Sequence, residues 1–166
     1  ISQDALKEAD QNGLITVYSN LDKADIPFEN NFFDIIVATD IFEHLFDPKA
    51  LLMNLKDKLK PDGYMLISVP NHFFWKQRLA ILRGKTLILD WHNDVNEWDF
   101  FHIRFFNSTS FESFVTSCDL TIVEKKYQQF HTGKPWFLPP FIFISMKRIS
   151  PSCLGEPMLN SLSAIL

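Results

Sequence analysis

Phe33-Asp34-Ile35-Ile36-Val37-Ala38-Thr39, then Asp47-Pro48 followed by Leu51, Leu52, Leu55 and Leu59, then Tyr64-Met65-Leu66-Ile67-Ser68-Val69-Pro70-Asn71, form the stretch that decides the fold. The first run is short and β-branched, the pattern of a strand buried in a parallel sheet. Asp47 and Pro48 are a cap and first-position pair, and the leucines recur at helical spacing up to Lys60. Pro61 stops that helix, Pro61-Asp62-Gly63 reads as a turn, and Tyr64 to Val69 is a second apolar strand. Strand, helix and strand with short joints make a right-handed crossover, so the two strands run parallel and their carboxyl ends open on one sheet edge. Asp40 and Asn71 fall on that edge, where open α/β sheets bind ligands.

Working outward, Ser2 caps a short helix from about Gln3 to Asn12 that Gly13 ends, and Leu14 to Tyr18 reads as a strand. Asp22 to Asn31 is a loop. Downstream, Trp75 to Gly84 reads as a helix, Lys85 to His102 as an irregular aromatic and acidic insert, and Ser108 to Cys118 as a capped helix. Leu120 to Tyr127 and Phe141 to Lys147 are then the strands of an antiparallel hairpin. Ser150 to Leu166 carries Pro151, Gly155 and Pro157 with weak periodicity and is an irregular tail with no assigned role.

Composition narrows the class. A hydrophobic share of 46% over 166 residues is enough for the core of one domain. Sixteen Lys plus Arg against twenty Asp plus Glu leave a net charge of -4, which provides no broad field for nucleic acid. Cys118 and Cys153 show neither metal-ligand spacing nor a disulfide framework, which fits a reducing, cytoplasmic setting. The longest apolar run, Phe137 to Met146, is too short to span a bilayer and carries Pro139 and Pro140.

Four strings extend the pattern: Ile26-Pro27-Phe28-Glu29-Asn30-Asn31-Phe32-Phe33-Asp34-Ile35-Ile36, Asp40-Ile41-Phe42-Glu43-His44-Leu45, Leu59-Lys60-Pro61-Asp62-Gly63 and Ser68-Val69-Pro70-Asn71. Taken in order, they resemble the middle of class I S-adenosylmethionine-dependent methyltransferases. Asn71 to Leu79, Arg83-Gly84-Lys85 and His102-Ile103-Arg104-Phe105-Phe106 are similar to the MetW-like and ubiquinone-biosynthesis-like branches. The resemblance implies an α/β, Rossmann-like sheet, mostly parallel with an antiparallel C-terminal hairpin. It covers residues 1–149 as a partial methyltransferase domain with a substrate cap at about 72–106, leaving 150–166 as the tail. It also implies S-adenosyl-L-methionine as cofactor and a small-molecule acceptor.

The chain departs from that pattern in two places. The family's first strand, its glycine-rich turn and the acidic residue that closes its second strand have no counterpart here, so the expectation is a fragment of a longer protein, inactive alone. Where the family has a Gly-Asp pair whose aspartate accepts from the adenine amino group, this chain has Ser19-Asn20. Asn20 keeps a carbonyl oxygen for that contact, and Asp22 is the other candidate.

The resemblance places Asp40 and Glu43 beside the cofactor, Asp40 toward its methionyl side. Spacings of three and four put Asp40, Glu43 and His44 on one face of a helical turn, and the ordinary alternative is a polar helix start that satisfies backbone amides. Methyl transfer from a sulfonium is an in-line displacement, so positioning and exclusion of water dominate, and an oxygen or nitrogen nucleophile also needs a base. His44 is the first candidate for that base and His102, from the cap, the second. Each could instead be a packed, hydrogen-bonded histidine. His72 is the weaker candidate, and Asn71 has the ordinary role of closing a turn. No resident metal is expected; the alternative is a divalent ion on Asp40, Glu43 and His44, as some ubiquinone-type relatives suggest.

Phe73, Phe74, Trp75, Leu79, Ile81 and Leu82 interleave with Lys76, Arg78, Arg83 and Lys85, either as a substrate-covering helix, the preferred reading, or as a peripheral membrane contact. Trp91, Trp98, Phe100 and Phe101 would line the acceptor cavity. Two rival functions stand beside methyl transfer: a non-catalytic subunit that assists a biosynthetic partner enzyme, and a metal-dependent hydrolase.

Overall fold

The computed structural model describes residues 3–85, 101–128 and 141–148. Its elements are helix α1 (Gln3–Gln11), strand β1 (Phe33–Thr39), helix α2 (Pro48–Lys58), strand β2 (Leu59–Pro70), helices α3 (Trp75–Leu82) and α4 (Ser108–Thr116), and strands β3 (Thr121–Gln128) and β4 (Phe141–Lys147). The strands lie in the order β1-β2-β4-β3. β1 and β2 are parallel, while β4 runs antiparallel to both β2 and β3, so the crossover and the closing hairpin are both present.

Register explains the core. Ile36 lies opposite Met65 and Ala38 opposite Ile67, and these pair onward with Met146 and Ile144 of β4. Opposed residues share a face, so all of them point to the same side, where they are buried together with Val69 and Ile142. α2 covers that side with Leu51, Leu52 and Leu55, and α4 with Phe111 and Val115. Asp47 begins α2 by accepting from the amide of Ala50 at 3.0 Å, and Pro48 stands where no amide is needed. α4 begins at Ser108, as expected, and is capped by Asn107 through a reciprocal pair with Ser110.

Three expectations change. Pro61-Asp62-Gly63 does not separate helix from strand, because β2 already begins at Leu59. Leu59 pairs with Phe33 and Tyr64 with Ile35, so the residues between them bulge out of the ladder. Gly63 is required there: a Cβ on it would stand 2.9 Å from the Asp34 carbonyl oxygen. Arg148 stitches the bulge, donating to the carbonyls of Leu59 (2.6 Å) and Lys56 (3.1 Å), the latter also accepting from the Leu59 amide at the end of α2.

The second change concerns β1, which is buried on one face only. Ile35 and Val37 are each 61% exposed, because no described element covers the outer face of the sheet. The third concerns Leu14 to Tyr18, which is irregular, with Ile15 94% exposed; a strand needs a partner ladder, and none of the described strands pairs with it. α1 likewise buries no residue. Most of the expected aromatic insert, including Trp91, Trp98 and Phe100, lies outside the described residues, as do Cys153 and the tail.

Candidate active site

The site lies at the carboxyl ends of β1 and β2, where Thr39 pairs with Ser68. The chain turns sharply there, and Asp40 takes a left-handed φ of 52°, uncommon for a residue with a side chain. Ser68 holds it in that state. The Asp40 amide donates to the Ser68 carbonyl at 3.1 Å, and the Ser68 hydroxyl donates to the Asp40 carboxylate at 2.8 Å. Ser68 is buried in an otherwise apolar strand, and this polar interruption was the signal in the sequence that could have marked it.

Beyond Asp40 the chain makes a short 3-10 helix, Phe42–His44. Phe42 drives it by anchoring in the core, fully buried and edge-on to Phe114 at 5.8 Å. That anchor carries Glu43 inward as well. Glu43 is fully buried, neither carboxylate oxygen has a hydrogen-bond partner among the described residues, and burial pushes its carboxyl up to about 7. The nearby Glu43 backbone amide opposes the shift, and the charge of Asp40 adds to it.

Residues 101–106 lie across this turn. The amides of Ile103 and Arg104 both donate to the Glu43 carbonyl, at 2.9 and 3.0 Å. The Arg104 guanidinium donates to the Phe46 carbonyl, the His72 amide donates to the Phe106 carbonyl at 3.1 Å, and Asn71 bridges to Phe106. This lacing brings two histidines to one carboxylate, with a third behind one of them. His44 donates from Nδ1 to the Phe101 carbonyl at 3.2 Å, stacks on the Phe101 ring, and turns Nε2 to within 3.8 Å of Glu43 Oε1. His102 places Nε2 4.0 Å from the same oxygen and bonds through Nδ1 to His72 Nε2 at 2.9 Å. Burial lowers the His72 imidazole to about 4, against the Pro70 carbonyl, which accepts from the ring, and with help from the charge of His44, so His72 is neutral at physiological pH.

His44 and His102 are therefore together, and His72 belongs with them although its sequence position ranked it below them. Asp40 sits at the mouth beside Ser68, and Glu43 lies with the histidines. Asn20 and Asp22 stand in another loop. The Asn20 carbonyl oxygen accepts from the Asp22 amide at 3.1 Å, capping the 3-10 turn Leu21–Lys23, and the Asp22 carboxylate accepts from the Phe46 amide at 2.9 Å. The Phe46 link fastens that loop to the rim of the site, two residues beyond His44. Among the described residues, Glu43, His44 and His102 are the group whose ligand atoms all lie within 4.8 Å of one another; Asp40 stands outside it.

A parallel crossover with a polar strand end, a closing antiparallel hairpin and a histidine cluster beside residues 101–106 are the features on which comparison with known proteins can be judged. The methyltransferase-domain family matches residues 3–125. The chain belongs to that family. A ubiquinone biosynthesis O-methyltransferase of Cereibacter sphaeroides is 32% identical over 83 residues, half of this chain and 33% of that protein. One from Rhodopseudomonas palustris is 27% identical over 134 residues, 80% of this chain and 51% of that protein. This methyltransferase domain thus spans a third to a half of the length of these curated relatives. In structure it is similar to an S-adenosylmethionine dependent methyltransferase from Mesorhizobium loti, with a TM-score of 0.62 at 14% identity, over 89% of this chain and 77% of that one.

Proposed function

We propose that the protein transfers a methyl group from S-adenosyl-L-methionine to a small-molecule acceptor bound under residues 72–106, and that His44 and His102 act on the acceptor's nucleophilic atom. The observation that carries this reading is the meeting of two kinds of group on one sheet edge. Asp40, fixed by Ser68, offers a carboxylate for the cofactor's methionyl ammonium, and the histidines stand on the cap side of the same turn. Asn20 and Asp22 supply the adenosine side, Asn20 through its carbonyl oxygen, and Glu43 borders the cofactor from below. The name of the Mesorhizobium loti neighbour supports the same cofactor, and those of the curated relatives support methyl transfer.

Two surfaces of the structure support a longer polypeptide. The outer side of β1, with Ile35 and Val37, and the exposed Leu14, Ile15, Val17 and Tyr18 are apolar and uncovered. A further strand against β1, carrying the glycine-rich turn and followed by a helix over the outer face, would cover them and complete the cofactor site. We assign both to sequence outside these 166 residues. No helix among the described residues is long and apolar enough to cross a membrane, and the buried free thiol of Cys118 is compatible with a reducing, cytoplasmic setting. A purely assisting role beside a biosynthetic enzyme would leave the buried histidine cluster without a use.

The test is turnover of phenolic and amine acceptors by the full-length protein. His44→Asn is expected to lower kcat by about 10²–10⁴-fold, with binding of S-adenosylhomocysteine retained. Unchanged turnover in His44→Asn would remove the histidine from the mechanism, and no turnover by the unaltered protein with intact cofactor binding would favour the assisting role.

A further inference from the structure

His72 is the member of the histidine cluster to which the proposed methyl transfer gives no task, and it is the most deeply buried of the three. Burying an imidazole is costly unless its polar atoms are paired. The backbone of His72 is fixed by the bond from its amide to the Phe106 carbonyl at 3.1 Å, and its ring stands edge-on to Phe105, with centroids 5.0 Å apart. With the ring so held, Nε2 lies 2.9 Å from His102 Nδ1, and the two imidazoles are nearly perpendicular at 87°. One proton must occupy that contact, and the other side of His72 decides which ring supplies it. The Pro70 carbonyl accepts from the His72 ring, and with Nε2 turned to His102 the nitrogen that serves Pro70 is Nδ1. A neutral imidazole has a single N–H. With that proton on Nδ1, His72 Nε2 is an acceptor and His102 Nδ1 is the donor.

Neutral His102 therefore carries its lone pair on Nε2, the nitrogen that lies 4.0 Å from Glu43 Oε1. His44 reaches the same state by donating from Nδ1 to the Phe101 carbonyl, with its Nε2 3.8 Å from the same oxygen. A main-chain carbonyl does for one ring what His72 does for the other. We propose that His72 is a positioning residue that accepts the Nδ1 proton of His102 and so keeps His102 Nε2 unprotonated, ready to take the proton of the acceptor's nucleophilic atom. The part resembles that of the aspartate in a serine-protease triad, played here by a neutral ring. His102 takes the proton as an N–H bond on Nε2 and becomes an imidazolium as the sulfonium charge disappears, so the total charge is conserved. Only this use of Nε2 rests on the methyl-transfer reading; the choice of tautomer rests on Pro70, His72 and His102.

The experiment is ring-nitrogen NMR of the isotope-labelled, full-length protein, which reports the nitrogen that carries each imidazole proton, joined to kcat and KM for whichever of the phenolic and amine acceptors is turned over. The His102 signal, identified by its loss in His102→Asn, is expected to show the proton on Nδ1. His72→Phe keeps a ring in place and removes the acceptor; it should move the His102 proton to Nε2 and lower kcat at least about tenfold, with KM within about twofold. His72→Gln sets a carbonyl oxygen near the place of Nε2 and should restore the Nδ1 proton and most of kcat. The spectrum of the unaltered protein tests the tautomer even if His72→Phe fails to fold. A His102 proton on Nε2 in the unaltered protein, on Nδ1 in folded His72→Phe, or a kcat loss in His72→Gln as large as in His72→Phe would overturn the proposal. Turnover with the His102 proton on Nε2 would sink the positioning role and leave methyl transfer standing; the expected proton shift with no acceptor turned over would leave the tautomer assignment standing and count against methyl transfer.

Discussion

The two sides of β1 contrast sharply within seven residues. Ile36 and Ala38 face α2 and α4 and are buried, whereas Ile35 and Val37 face outward and are 61% exposed. Toward the core side and the carboxyl edge, nearly every group is held: Asp40 by Ser68, residues 101–106 by the Glu43 carbonyl, His102 by His72. On the outer side, equally apolar residues have no neighbours among the described residues to bury them. Chemistry of the strand is the same on both faces, so the difference must come from what covers each. In the proposed reading, the held edge is the acceptor half of a site, and the uncovered face of β1 is where further sequence would complete the cofactor half.

Paired substitutions on the two faces would break that comparison most decisively. Ile67→Ala, at the fully buried centre of β2, is expected to lower unfolding stability by about 2–5 kcal/mol in denaturant titration. Next comes the bulge: Gly63→Ala would drive a methyl into the Asp34 carbonyl and should cost about 1–3 kcal/mol by the same measurement. Ser68→Ala removes the hydroxyl that orients Asp40, and should weaken S-adenosylhomocysteine by about 1 kcal/mol, roughly fivefold, with little change in the acceptor's KM. Smallest is Ile35→Ala in the 166-residue chain, within about 0.5 kcal/mol. In a longer polypeptide that covers this face the same change should rise to about 2 kcal/mol or more. A cost above about 2 kcal/mol in the short chain already would mean that Ile35 is not exposed and would cancel the contrast.

The sequence was most readable where local pattern and tertiary context agree. Asp47-Pro48 and the leucines of α2, the parallel pair, and the hairpin of β3 and β4 follow from capping, periodicity and connection length alone. Leu14 to Tyr18 has strand-like residues, but a strand exists only through its neighbour, which no local pattern reveals. The bulge was hidden for a related reason: Pro61-Asp62-Gly63 is good turn chemistry, and only the pairing of Phe33 with Leu59 shows that β2 starts before it. In the site, His44 and His102 were legible as residue types, and their meeting over Glu43 was not. That meeting depends on 57 intervening positions between His44 and His102 and on backbone bonds to a carbonyl, neither of which side-chain spacing encodes. Glu43 itself was expected beside the cofactor, and its burial follows from Phe42, whose ring fixes the turn from the core side.

The central claim is that this edge of the sheet is the acceptor half of a methyltransferase site whose cofactor half is completed by further sequence packed on the outer side of β1. Calorimetric titration of S-adenosylhomocysteine into the 166-residue chain and into the polypeptide extended through a strand before α1 tests it most directly. Saturable binding is expected for the extended protein, weakened by Asp40→Asn, and little or none for the shorter chain. Tight binding by the shorter chain, or none by a folded extended protein, would contradict it.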